Sequence, residues 1–151
     1  MDESTRAELR HLMITCRQAG LAVSEGNVPF TAMTAYVAEP ALRSVLVHLS
    51  NLAPHKRMLL ANPQCSLIIA EPDDGRAEVM SLARVTLQGR AAKIEKESAD
   101  YAEAKALYLA RLPASRLMFD LADFDLIRIH VAGGRYIAGF ARAFSFTAED
   151  L

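Results

Sequence analysis

The sequence predicts an α+β domain: an antiparallel sheet of six or more strands curled into a small barrel, with flanking helices. Three observations lead there. Strand-like segments follow one another through short turns instead of alternating regularly with helices. The longest of them sets Arg84, Thr86 and Gln88 against Val85 and Leu87, the alternation of a strand with one face on a core. The chain has 151 residues, 52% of them apolar, which makes one domain with more apolar surface than a monomer needs to bury. Closing such a sheet removes its unpaired edges.

Taken in order, residues 3–19 place Leu9, Leu12, Met13, Cys16 and Ala19 at helical spacing, and Gly20 ends the helix. Residues 21–37 read as strand, turn, strand about Glu25-Gly26-Asn27, and 44–50 as a third strand. Asn51 is placed to cap a short helix over 52–61. Asn62-Pro63 stops it, because the residue before a proline avoids the helical region. An apolar strand over 65–72 leads to the turn Asp73-Asp74-Gly75, and the long strand covers 79–95. A helix over 98–112 carries Tyr101, Ala104, Leu107, Tyr108 and Leu112 on one stripe. Residues 124–146 read as two strands around Gly133-Gly134. The barrel core thus spans 21–146 of a single domain, 1–151, with no internal repeat or linker.

A net charge of −1 predicts no general attraction to nucleic acid or to anionic membrane. With no apolar run near 18 residues and no signal-peptide pattern, the expectation is a cytoplasmic, soluble protein. Dinucleotide, P-loop and zinc-protease motifs are absent, as is a serine nucleophile elbow. Cys16 and Cys65 lack metal-ligand spacing and read as buried thiols; His11, His48 and His130 read as structural or solvated. No metal site is expected, and no residue stands out as a catalytic acid or base.

The stretch "SNLAPHKRMLLANP", 50–63, raises a different question. His55, Lys56 and Arg57 sit at a helix start, where cations are unfavourable by several tenths of a kcal/mol. A phosphate monoester would reverse that sign, through charge-assisted hydrogen bonds with these groups, the Ser50 hydroxyl and the Asn51 amide. The competing reading is a solvated face of a surface helix. Arg84 and Gln88 on the long strand form a second polar set: inside a barrel they would need partners, and on a solvent face they would not.

At these residues the chain resembles the pyridoxamine 5′-phosphate oxidase-related, FMN-binding split-barrel family, and more narrowly its haem-utilisation (HugZ-type) branch. The resemblance rests on "GNVPFTAMTAY" (26–36), "LSNLAPHKRMLLANPQCSLII" (49–69), "RVTLQGRA" (84–91) and "AGFARA" (138–143). It implies a homodimer with flavin at the subunit interface. Ser50 takes the place of a hydroxyl residue near the FMN phosphate, and His55 and Lys56 that of a phosphate-binding basic pair. Arg84 takes that of a cofactor-contacting position. Asn51, Arg57 and Gln88 are neighbours of that set, and Arg142 lies in the C-terminal block. Lys56 replaces the branch's usual threonine, Met58 its asparagine and Ala32 a serine. The implied function is an FMN-dependent oxidoreductase of unknown substrate. The alternatives are a haem-binding or haem-degrading protein on the same fold, or a non-enzymatic flavin-binding protein. Haem-binding relatives often carry an axial histidine in a further C-terminal segment, and no histidine follows His130, which argues against the haem alternative; His55 and His48 are its candidate ligands.

Overall fold

Gly26 and Asn27 both adopt positive φ, 51° and 66°, in a two-residue turn whose backbone hand matches the twist of the strands it joins. Those strands are β1 (Gln18–Glu25) and β2 (Val28–Ala35). The computed structural model describes residues 1–151 and continues the series: β3 (Val37–Ala38), β4 (Ser44–Ser50), β5 (Gln64–Ala70), β6 (Arg84–Lys93), β7 (Phe124–Ile137) and β8 (Ala143–Thr147). The helices are α1 (Glu3–Thr15), α2 (Pro54–Ala61) and α3 (Ala99–Arg111), with short 3₁₀ segments at 79–81, 113–120 and 148–150. Strand order is β2-β1-β5-β6-β7-β4-β3 with β8 added to β7, and every pairing is antiparallel. This is the α+β antiparallel barrel that the alternation predicted, in the split form that the family resemblance implied.

The inner face is a continuous apolar surface. Leu21, Val23, Leu67, Ile69, Val85, Leu87, Val45, Val47, Ile127 and Ile129 meet there, closed by Leu9, Leu12 and Met13 of α1 and by Met58 and Leu59 of α2. β4 is buried on both sides, because Leu46 and Leu126 on the outer face pack under Ala104 and Tyr108 of α3. The Tyr36 hydroxyl donates to the Met13 carbonyl at 2.8 Å, tying α1 to the sheet. Arg128 clamps Glu39 (2.7 and 2.8 Å) and Asp100 (2.7 and 3.0 Å), joining the loop after β3 to α3.

Four predicted features differ in the structure, two through strand pairing and two through local capping. Helix α1 ends at Thr15, not 19, since Gln18–Glu25 pairs with β2 on one side and, over Gly20–Ala22, with β5 on the other. Gly20 is therefore a mid-strand residue, with Ile68 Cγ2 only 3.0 Å from where a Cβ would sit. Helix α2 begins at Pro54 with Ala53 as an N-cap that lends no side chain, and Asn51 caps nothing; proline suits a first helical position, which needs no N–H. The long strand starts at Arg84, after a 3₁₀ turn that the Glu78 carboxylate caps through Met80 N. Finally, Gly133-Gly134 is no turn: β7 continues through it for 14 residues, with a bulge at Ala132 against β6. The reversal comes at Gly139 (φ 119°) and Ala141 (φ 59°).

Candidate functional site

The pairing of β4 with β7 sets Ser50 opposite Phe124, so the corner 50–57 meets residues 123–125. Ser50 Oγ donates to Asp123 Oδ2 (2.6 Å) and accepts from Leu52 N (3.1 Å), while Asn51 N donates to the same carboxylate oxygen (3.2 Å). Lys56 is 3% exposed. Its ammonium donates to Asn51 Oδ1 (2.6 Å) and to the Asp123 carbonyl (2.7 Å), and pairs with Asp125 Oδ2 at 2.7 Å. Three acceptors saturate its three donors. Burial alone would raise the Asp125 pKa; the hydrogen bond and charge of Lys56 outweigh it and hold the carboxyl below its ordinary range. Asp123 is likewise lowered, chiefly by the Ser50 hydroxyl.

Arg57 forms a two-pronged pair with Glu25, at 2.5 and 3.3 Å, with both side chains more than half exposed. Exposed pairs contribute about 0–1 kcal/mol, so Arg57→Ala is expected to lower the unfolding free energy measured in urea by less than about 1 kcal/mol. His55 differs from its neighbours. It makes no hydrogen bond within the protein, lies nearly parallel to Phe30 (centroids 6.4 Å, 15°), and burial lowers its pKa so that the neutral ring prevails at pH 7. The two cations of the corner have carboxylate partners within the protein: Asp125 for Lys56 and Glu25 for Arg57.

The other expected residues lie elsewhere on this chain. Arg84 Nη1 folds back onto the carbonyls of Met80 (2.9 Å) and Leu82 (3.0 Å), at the opposite end of β6 from Lys93, which is 3.6 Å from Asp125. Roughly 30 Å of strand separates those two ends, at about 3.3 Å per residue. Gln88 and Thr86 are exposed, and Arg84 partly so; Val85 and Leu87 face the core, which places the polar row outside the barrel. Arg142 contacts Thr5 Oγ1 and Glu8 Oε2, both at 3.2 Å, and pins the β7–β8 turn to α1. Ser50, Asn51 and Lys56 gather around Asp123 and Asp125, whereas His55 faces Phe30 and Arg57 faces Glu25 at the β1–β2 hairpin. Sequence reasoning missed Asp123, Asp125 and Phe30. The available signal was two carboxylates at the start of an otherwise apolar strand.

This geometry fits the two candidate cofactors differently. A flavin phosphate would need free cations, and the corner's ammonium and guanidinium are engaged by carboxylates. A haem iron needs a neutral imidazole with an unshared lone pair, and His55 is one. No group of three or more His, Cys, Asp or Glu side chains is arranged to hold a bare metal ion. No helix is long and apolar enough to cross a membrane.

The profile of pyridoxamine 5′-phosphate oxidase matches residues 7–138. The chain belongs to that family. Within the pyridoxamine 5′-phosphate oxidase family it is similar to proteins named for haem. The chloroplastic haem oxygenase HOZ of Arabidopsis thaliana is 37% identical over 106 residues, 70% of this chain and 31% of that one. The haem oxygenase HutZ of Vibrio cholerae is 27% identical over 106 residues, covering 70% and 60%. A haem-binding protein from Mycobacterium smegmatis superposes with a TM-score of 0.87 at 26% identity, over 99% of this chain and 60% of that one. The match thus spans about a third of the plant relative and under two thirds of the bacterial ones.

Proposed function

We propose that this pyridoxamine 5′-phosphate oxidase family member binds haem and takes part in haem breakdown, with His55 as the side chain that meets the iron. The observation that carries this reading is the unequal state of the basic triplet. Lys56 and Arg57 are paired within the protein, while His55 is neutral and has no hydrogen-bond partner. The relatives named above, two haem oxygenases and a haem-binding protein, support the same reading. Bound haem would supply the redox-active iron and the porphyrin. The protein's part is to hold and orient it, with Phe30 beside His55 as an aromatic surface and partial burial keeping the imidazole unprotonated. Val28 and Phe30 are exposed on the face of β2 that also carries the His55 contact, and Met33 and Ile68 are exposed together on the outer face of β2 and β5, either side of Gly20. That apolar surface suits a second copy of the chain, with the cofactor between the two subunits.

The second reading is an FMN-dependent oxidoreductase, favoured by family membership and weakened by the engaged charges at the corner. Titration of the purified protein with haemin separates the two. The expected result is a sharp Soret band for the native chain, with His55→Ala weakening binding by at least about 10-fold, the size seen for groups that merely support a metal ligand. No band above the free-haemin background, together with a flavin spectrum in the purified protein, overturns the haem reading.

A further inference from the structure

We propose that residues 113–123 form an acid-sensitive strap: protonation of His48 beneath it releases Phe119 and, with it, the Asp123 carboxylate that shapes the Ser50–Asn51 corner. The consequence for the corner rests on the functional reading above; the motion of the strap does not.

His48 is 9% exposed, and neither ring nitrogen has a hydrogen-bond partner. It sits in an aromatic box: stacked on Phe119 (centroids 3.8 Å, 12°), tilted against Phe124 (4.9 Å) and edge-on to Tyr108 (5.9 Å). Phe119 is the anchor of a 3₁₀ segment, Pro113–Asp120, that buries no residue fully and leaves Leu117 77% exposed. Its ring also lies edge-on to Tyr101 and Tyr108, with Lys105 Nζ 5.3 Å from its centroid. A strap held by so few buried groups depends on the packing of that one ring, in which the stack on His48 is the closest contact.

A neutral imidazole tolerates this box; an imidazolium does not. It would carry two N–H donors with no acceptor in reach, and desolvating an unpaired charge is costly. The surrounding charges oppose it as well. Lys96 beyond β6, Lys56 of α2 and Lys105 of α3 all repel a proton on His48. Asp125 of β7 attracts one but already pairs with Lys56 and lies 3.6 Å from Lys93. Tyr101 and Tyr108 stay neutral, their pKa values raised by burial, Tyr108 to about 12. The strap's own Arg116 and Asp120 are exposed.

Burial first, and Lys96 next, push the His48 pKa down to about 4 from an ordinary 6.5. The sign follows: the closed strap has its full stability above the free value and loses it as pH falls toward the depressed one. Between about pH 7 and about pH 5 the open fraction should rise on the order of 20-fold by this linkage. The strap is continuous with the corner. Leu121 N bonds the Met118 carbonyl (3.2 Å), Phe124 N the Leu121 carbonyl (3.3 Å), and Lys96 Nζ the Ala122 carbonyl (3.0 Å). Next in the chain comes Asp123, bonded to Ser50 and Asn51.

Amide hydrogen exchange of the intact chain, read by mass spectrometry and corrected for the intrinsic pH dependence, tests this. Protection of 113–121 should fall on the order of 20-fold from about pH 7 to about pH 5 while the paired β4 and β7 hold. His48→Leu, apolar and untitratable, should abolish the fall. An equal fall in that variant, or none in the native chain, overturns the proposal. If the variant does not fold, an NMR titration of His48 in the native protein decides. A midpoint well below the ordinary value, accompanied by movement of the Phe119 ring signals, supports the strap; an ordinary midpoint with Phe119 unmoved overturns it. Haemin binding at neutral pH reads out separately, so failure of the haem reading and failure of the strap are distinguishable.

Discussion

Asp125→Ala is expected to destabilise the protein by about 3–5 kcal/mol, the usual cost of leaving a buried charge without its counter-ion. Lys56 would remain almost fully buried with two neutral acceptors, Asn51 Oδ1 and the Asp123 carbonyl, and no anion within bonding distance. Urea unfolding measures the loss. The double variant Lys56→Met, Asp125→Leu should recover most of it, because an apolar pair of similar volume needs no compensation. A loss below about 1 kcal/mol in the single variant would show that the pair behaves as a surface one. The pH dependence has a fixed sign. Asp125 titrates below its ordinary value, so the pair's stabilisation is present above about pH 4 and disappears as pH falls through the depressed pKa.

Gly134→Ala is the second large effect, a loss of about 3 kcal/mol from overpacking a site that cannot relax. A Cβ there would collide with the Thr86 carbonyl oxygen of β6 and come within 2.8 Å of Phe146 Cζ. Backbone on one side and a packed ring of β8 on the other leave no flexible side-chain end to give way. Gly26→Ala is the control. It sits in an open turn with nothing within 4 Å of its Cβ, so its cost is limited to the positive φ, about 1 kcal/mol. Thermal melts of the two variants should therefore differ clearly. Equal melting temperatures would mean that β6, β7 and β8 are not packed as tightly as described.

The contrast between these glycines shows what a local reading can and cannot extract. Gly26-Asn27 announces a turn, because both residues tolerate left-handed backbone and strands flank them. Gly133-Gly134 carries the same local signal, yet its glycines serve close approach between neighbouring strands, which depends on partners roughly 13 and 47 residues away in the register with β8 and β6. The candidate site divides the same way. The crowding of Ser50, Asn51, His55, Lys56 and Arg57 was legible, because a strand end and a helix start lie next to each other in the chain. The engagement of Lys56 by Asp125 was not, since those residues meet only through the pairing of β4 with β7. The partners of Arg84 and Arg142 were equally out of reach of the sequence. One closes its own turn and the other anchors to α1.

The amino-acid sequence alone determined the α+β antiparallel plan, the hairpins and the corner at 50–57, because periodicity, turn residues and proline act within a few positions of themselves. Tertiary structure alone decided how that corner is partnered: Asp125 pairs Lys56, Glu25 pairs Arg57, and His55 makes no hydrogen bond. The physical reason is that a Coulomb interaction depends on separation in space, and only the folded sheet converts seventy residues of chain into a contact of 2.7 Å.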